Sequence, residues 1–516
     1  MPHSSQQTLR LTLPERRLVL PELPERRRTS AICILTACIT LAGCATQIAP
    51  TAPVLINGAP VTALAWVPEL NSIALNGPAV TDQQWWQGYD DPNLLALIEK
   101  ARAANPDLAI LAENLVQADL QLQNAGASLL PGIGLSGSTG EQTRRPSGGD
   151  WRSSGSTSVS ASISYEVDLW GRLGAAENAA SFRRDASAFD FAAAQLSLSG
   201  AVASNWFQLL ELRQRQNIAR QNLKLAEQTL RIVDVRYRNG VADRSELARQ
   251  RTAVLVLRNA LPTLVYGLRQ SEAALQVLSG EPPWMESANL SEDAPVDRRV
   301  GELVGESGSE LRNELRAELQ KIRIPDINAG SPAELITRRP DLAAAEARLQ
   351  AANADIAQAR AALLPAVSLS AALGLSSDGL LSLSSPLTTA SGLLAFSQTL
   401  FDGGTRSNNV ALSESRQVAL VQSYRSSLLN AFSEAGDAMA RISLFREQEQ
   451  RLAEIEQQAE ETLRLSEVRY RQGAEDLVTL LDSQRTLFDA RVQRSEARLN
   501  HLLATVDLYK AVGGGF

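Results

Sequence analysis

The apolar period changes along this chain, and the changes mark its elements. In residues 157–169 the odd positions are Thr157, Val159, Ala161, Ile163, Tyr165, Val167 and Leu169; the even ones are Ser158, Ser160, Ser162, Ser164, Glu166 and Asp168. Side chains of a strand alternate between faces, so this pattern predicts a strand with one apolar and one polar side. Ile133, Leu135 and Gly137 begin a weaker strand before it, with a polar loop over residues 141–155 between the two. Val367, Leu369, Ala371, Leu373 and Leu375 alternate with Ser368, Ser370 and small residues as a third strand. Residues 393–401 form a fourth, with poorer alternation.

Between the strands the period lengthens. Asp91-Pro92 marks a helix start, and the helix runs to about residue 130 with a break at Asn105-Pro106. A second helix is predicted over residues 175–238, near 95 Å long if continuous. Within it Ala219, Leu223, Ala226, Leu230, Val233 and Tyr237 step by four and three, the spacing of a coiled-coil seam. Leu247, Val254, Leu261, Leu268 and Leu275 then recur every seventh residue, with Pro262 placed to kink the run. Another long helix is expected over residues 404–471. Residues 281–332 carry Pro, Gly, Ser and acids with little period beyond a short helix near 309–322, and read as a connecting segment.

The long helices end in twin motifs. VRYRNGVADRSE at residues 235–246 returns as VRYRQGAEDLVTLLD at residues 468–482. In each a Gly follows the apolar run, where a left-handed residue stops a helix, so each motif is the tip of a helical hairpin. Asn105-Pro106-Asp107-Leu108-Ala109 likewise returns as Arg339-Pro340-Asp341-Leu342-Ala343, and ASLLP ending at Pro131 returns as AALLP ending at Pro365. The offset stays at 233–234 residues, which identifies an internal duplication.

The N-terminus reads as processed sequence. Arg26, Arg27 and Arg28 precede an apolar run over residues 31–41, followed by Leu41-Ala42-Gly43-Cys44. A basic flank, a short apolar stretch and small residues before a cut describe a secretory signal, and the run is too short to span a bilayer comfortably. Cys44 after Leu-Ala-Gly resembles a bacterial lipobox, in which this cysteine carries the lipid and becomes the first mature residue. All three cysteines lie in or at the end of this signal, so the mature chain has no disulfide. Ala45, not an acidic residue, resembles the signal for export to the outer membrane. The chain thus divides into a lipoprotein signal peptide (1–43), a lipidated tether (44–84), a first repeat (85–283), a connecting or equatorial segment (284–332) and a second repeat (333–516).

Composition excludes several classes of function. A formal charge of −7 without a basic patch gives no nucleic-acid partner. The two histidines, His3 and His501, stand apart, and no cysteine pair, phosphate loop or paired carboxylate site appears, so neither enzyme chemistry, metal nor cofactor is expected. Aromatics at 5% with abundant Ala favour closely packed helices. Each repeat supplies two strands. Four strands cannot close a barrel, and an open sheet with one apolar face would leave its edges unpaired. Several copies are therefore expected to assemble into a membrane barrel with a wet lumen, extended by a helical tube far longer than a bilayer is thick.

The motifs ARAANPDL, EVDLWGR, VRYRNG, RRPDL, LFDGG and VRYRQGAEDLVTLLDSQRTLF resemble the outer-membrane factors of the TolC and OprM type, in their NodT-like lipoprotein branch. The resemblance runs from about Trp85 to Ala511. It implies a mainly α fold with a membrane β-barrel contribution: a homotrimer with a twelve-stranded barrel on a periplasmic helical tube. It further implies docking to a periplasmic adaptor protein and an inner-membrane pump, with the barrel and the lipid in the outer membrane.

By the same resemblance Val478 and Asp482, four residues apart on one helix face, match an apolar and an acidic ring that close the periplasmic aperture. Tyr470 and Arg485 are candidates for inter-helix hydrogen bonds that hold this gate, and Glu246 is the partner position on the first hairpin. Each also suits an ordinary exposed helix surface. Some relatives carry an Arg just after the tip Gly; here Glu475-Asp476 stand there, so a latch built on that Arg must differ. Adaptor docking is expected at Arg238, Asn239, Gly240, Val241 and at Arg471, Gln472, Gly473, Ala474, residues that also satisfy plain turn chemistry. Ser483, Ala490, Arg494, Ala497 and His501 replace the leucine seam after the second tip, which points to the second hairpin as the moving, pore-facing one. The leading reading is a passive exit duct for small molecules driven by a partner pump. A duct for protein secretion or metal efflux, and a non-channel envelope lipoprotein, remain as alternatives.

Overall fold

The computed structural model describes residues 55–56, 59–60, 84–283, 319–325 and 338–514, all within one unit, Leu55–Phe516. Cys44, the signal and most of the tether and connecting segment lie outside the described residues. The elements are α1 (Pro92–Ala104), α2 (Pro106–Ala127), β1 (Gly132–Arg144), β2 (Arg152–Val167), α3 (Arg172–Arg238) and α4 (Arg244–Leu278), then α5 (Pro340–Ala361), β3 (Ala366–Ser377), β4 (Leu387–Ser397), α6 (Thr405–Arg471) and α7 (Leu477–Ala511). From α2 onward the second series repeats the order of the first. α3 and α6 have 67 residues each, about 100 Å at 1.5 Å per residue. Among the described residues no helix is long and apolar enough to cross a membrane.

Residues 55–56 pair with 59–60 as a separate short ladder, and β1–β4 form one antiparallel sheet in chain order. Its register brings the apolar positions together: Ile133 faces Ile163, Ile163 faces Ala371, Tyr165 faces Leu369, and Leu369 faces Leu394. Directly opposed residues share a face, so these side chains make one continuous apolar surface. Ile133, Leu135, Leu373 and Phe396 on it are exposed. The opposite face is a serine ladder, with Ser136 and Ser160 hydroxyls 2.9 Å apart and Ser138 and Ser158 also 2.9 Å apart. β1 and β4 are the two edges, each paired on one side only.

Two strand boundaries differ from the sequence pattern. The hairpin stays paired to Arg144 opposite Arg152, so the loop shrinks to residues 145–151. Beyond the apolar band both faces turn polar and the alternation disappears, yet the ladder continues, with Thr143 and Ser153 hydroxyls 2.9 Å apart. β4 lies six residues earlier at its start than the pattern places it. Its pairing with β3 runs from Leu387 opposite Ser376 to Ser397 opposite Ala366. The chain then leaves the sheet, exposing Leu400 and Phe401, so that the Asp402 carboxylate accepts from the Gly404 and Arg406 amides at the start of α6.

The leucine heptad of α4 is buried at every step, Leu247, Val254, Leu261, Leu268 and Leu275, and the helix is unbroken through Pro262. The largest core lies midway along the helices, where Trp85, Trp86, Tyr89 and α1 pack on Trp206, Phe207 and Tyr509. Several polar groups inside it are paired, whereas the buried Nε1 atoms of Trp85 and Trp86 have no hydrogen-bond partner among the described residues. Trp206 Nε1 donates to Asp91 Oδ2 at 2.7 Å, while Asp91 Oδ1 caps α1 through the Asn93 amide at 2.9 Å. Tyr89 donates to Thr505 Oγ1 at 2.8 Å. Of the predicted helix near 309–322, the described part is a single 3-10 turn at Leu319–Lys321. It is fastened here by buried Leu319 and by Arg498, which donates to the carbonyls of Leu319, Gln320 and Ile322 and pairs with Glu449 at 3.1 Å.

Candidate channel gate and docking tips

Both hairpin tips have the same backbone design. At the first, Gly240 has φ of +75°, its amide donates to Tyr237 O at 3.0 Å, and the Val241 amide donates to Arg236 O at 2.9 Å. At the second, Gly473 has φ of +73°, donating to Tyr470 O at 3.1 Å, and Ala474 donates to Arg469 O at 2.9 Å. These paired bonds are the Schellman closure of a helix, which needs a residue that tolerates the left-handed region. The next helix is started by an aspartate each time. Asp243 accepts from the Ser245 and Glu246 amides at 2.7 and 2.8 Å, and Asp476 from the Thr479 amide at 2.8 Å. These backbone bonds hold both carboxyls below the ordinary aspartate range, with Arg249 adding to both. Asp243 and Asp476 were visible in the sequence as Asp three residues before Glu246 and Thr479, the spacing of a capped helix start.

The eight tip residues, Arg238, Asn239, Gly240, Val241, Arg471, Gln472, Gly473 and Ala474, are all exposed. Val478 is 52% exposed and lines an open groove of about 520 Å³ between α4 and α7, together with Ala248, Arg249, Thr252 and Leu481. One turn on, Asp482 stands in solvent with its side chain 62% exposed, 2.7 Å from Arg485 on the same helix. Arg485 therefore meets Asp482 within α7, not a neighbouring helix of the same chain.

Tyr470 is placed differently. It is 2% exposed, in an apolar cluster with Val233, Leu247, Leu463, Leu477, Leu480 and Leu487. The Arg236 guanidinium lies 4.6 Å from its ring centre and donates to its carbonyl at 3.3 Å, joining the first hairpin to the second. Burial raises the Tyr470 hydroxyl pKa; the Arg236 charge opposes this and the Glu246 charge adds to it. Arg236 was not singled out in the sequence, although the twin VRYR motif contains it.

The polar seam after the second tip faces inward. Ser483, Ala490, Ala497 and His501 are buried. The Ser483 hydroxyl is 3.1 Å from that of Ser466, Arg494 pairs with Glu456 at 2.7 Å, and His501 Nδ1 meets Glu449 at 2.9 Å. This seam replaces leucines with hydrogen-bonded pairs between α6 and α7. The buried residues of this seam lie inside the α6–α7 pair and do not themselves face a pore.

A family model for outer membrane efflux proteins matches residues 97–281 and 332–514. The chain is 35% identical over 497 residues to the pyoverdine export outer membrane protein OpmQ of Pseudomonas putida, covering 94% of this chain and 97% of that protein. It is 29% identical over 452 residues to the outer membrane protein OprJ of Pseudomonas aeruginosa, covering 85% and 88%. The outer-membrane channel OprN superposes with a TM-score of 0.74 at 23% identity, covering 84% of this chain and 93% of that one, and shows the same fold. With its duplicated hairpins, its one-sided sheet and near full-length relatives, the chain belongs to the outer membrane efflux protein family and is an outer-membrane exit duct.

Proposed function

We propose that this duct works as a homotrimer in which β1 of one copy pairs with β4 of the next to close a twelve-stranded barrel. The observation that carries this is the sheet: two unpaired edges and a continuous exposed apolar face are stable only when further strands and lipid cover them. The serine ladder then lines the lumen. Cys44 is proposed to carry the lipid anchor. The exposed tips Arg238–Val241 and Arg471–Ala474 are proposed to seat a periplasmic adaptor, which links the duct to the inner-membrane pump that drives transport. No catalytic step is assigned to the chain. Its cargo is proposed to be small molecules, a reading supported by the pyoverdine export named for its 35%-identical relative.

Asp482 is proposed as the gate. Its pair with Arg485 is exposed at both ends, and such pairs contribute only about 0–1 kcal/mol, too little to hold an aperture alone. Three copies of Val478 and Asp482 around one axis would form the constriction instead. In planar bilayers the wild-type protein is expected to insert with low conductance, and Asp482→Ala to raise the open fraction or conductance. Absence of channels in both proteins would sink the duct and gate assignments together; wild-type channels unaltered by the substitution would remove the gate alone.

A further inference from the structure

Just below the sheet, five arginines converge on one pocket. Arg172 and Arg183 of α3, Arg348 of α5, and Arg406 and Arg416 of α6 line a cavity of about 490 Å³ over an alanine floor that includes Ala352 and Ala359. That volume is in the range of sites for small organic molecules. Four of the arginines are held in place by the protein. Arg172 grips Glu166 with Nε at 3.1 Å and Nη2 at 2.7 Å; Arg183 Nη2 meets both Asp355 oxygens at 2.6 Å; and Arg348 pairs with Asp190. Arg406 donates to Ala362 O at 3.1 Å and Thr399 Oγ1 at 2.7 Å, with Asp402 at 3.7 Å. Arg416 has no hydrogen bond or ion pair among the described residues and is exposed. Among the lining residues the only carboxylate is Asp355.

One of the lining arginines is tied to the sheet. Glu166 opposes Ser368 and shares the face of Ser158, Ser160, Ser162 and Ser164, the polar face. Its two-pronged bond ties Arg172, one of the lining residues, to that side, the side proposed to face the lumen. A lipid headgroup would have to approach from the apolar face.

We infer that this pocket is a binding site for small carboxylate-bearing solutes on the wall of the duct, with Arg416 as the free guanidinium that engages them. A guanidinium fork matches a carboxylate geometrically, the surrounding arginines are already oriented, and the alanine floor accepts the carbon skeleton. In the proposed trimer, three such pockets would ring the junction of barrel and tube and concentrate anions there. This inference rests on the reading of the chain as a duct.

Citrate is the probe, with glycerol as the uncharged comparison. Calorimetric titration of the purified full chain in detergent is expected to show citrate binding that weakens at high salt, and no glycerol binding. Arg416→Glu is expected to weaken citrate binding by about tenfold or more, and Arg416→Lys, which keeps the charge but loses the fork, to weaken it less. Because Arg416 is exposed and unpaired, neither substitution should disturb folding. Bilayer recordings on the same preparations separate the two readings. Normal channels with no citrate binding, or with binding unchanged in Arg416→Glu, overturn the anion site and leave the duct standing. Absence of channels overturns the duct and the inference with it.

Discussion

Alanine at Gly280 is expected to destabilise the protein severely, and alanine at Gly240 only mildly. Both glycines end a helix with similar positive φ, +73° and +75°. The left-handed conformation costs an L-residue about 1–2 kcal/mol at either site. Their surroundings differ. A Cβ on Gly240 would meet no atom within 4 Å, whereas on Gly280 it would stand 2.2 Å from Ala104 O, a backbone atom that has little room to yield. Ala104 is the last residue of α1, and the next residue, Asn105, donates to Leu278 O at 3.0 Å, so the ends of α1 and α4 are locked together. Separating them adds overpacking strain of about 1–3 kcal/mol. Denaturation followed by circular dichroism should show a large loss for Gly280→Ala and a loss of about 1 kcal/mol for Gly240→Ala. Equal losses would show that the close approach at Gly280 is not what the site demands.

The second large effect is a gain. Glu211 of α3 is 3% exposed; Arg215 Nε lies 3.5 Å from its carboxylate, and Arg215 Nη1 lies 3.3 Å from Glu496 of α7. Burial pushes the Glu211 carboxyl up to about 7, Arg215 draws it down and Glu496 pushes it further up. The folded state therefore holds a proton that the unfolded state, titrating near 4.5, has already released. Stability from this group is greatest below pH 4.5, falls as pH rises to about 7, and is flat above. The full loss is on the order of 3 kcal/mol, taking about 1.4 kcal/mol per pH unit. Glu211→Gln keeps the shape and removes the titration. Its melting temperature is expected to exceed that of the wild type at pH 8 and to match it near pH 4. A gain of the same size at both pH values would mean that the carboxylate's charge is not the cause.

What could be read from the sequence depended on period. The α4 heptad and the serine alternation of β2 report their burial because each has one face against a partner and one against water or lipid. β4 starts six residues before its apolar pattern does because its apolar residues, among them Leu387, Leu393 and Leu394, lie on both faces, and only pairing with β3 fixes its extent. The tips are legible because Gly240 and Gly473 stop helices by a local rule, and Asp243 and Asp476 start the next helices by another. The buried Glu211, and the pocket assembled from positions 172 to 416, had no local signature. Their chemistry depends on which helices pack together. For the same reason the polar seam from Ser483 to His501 suggested a pore face, and only packing against α6 showed it to be an interior one.

The central claim is that these four strands are one third of a barrel. Native mass spectrometry of the detergent-extracted protein, combined with cysteine pairs introduced on β1 and β4, tests it most directly. The account predicts a species of three chains, with disulfides linking β1 of one chain to β4 of another and dimer and trimer bands appearing only in the double-cysteine variants. A monomer in detergent without inter-chain disulfides at any β1–β4 pair would contradict it.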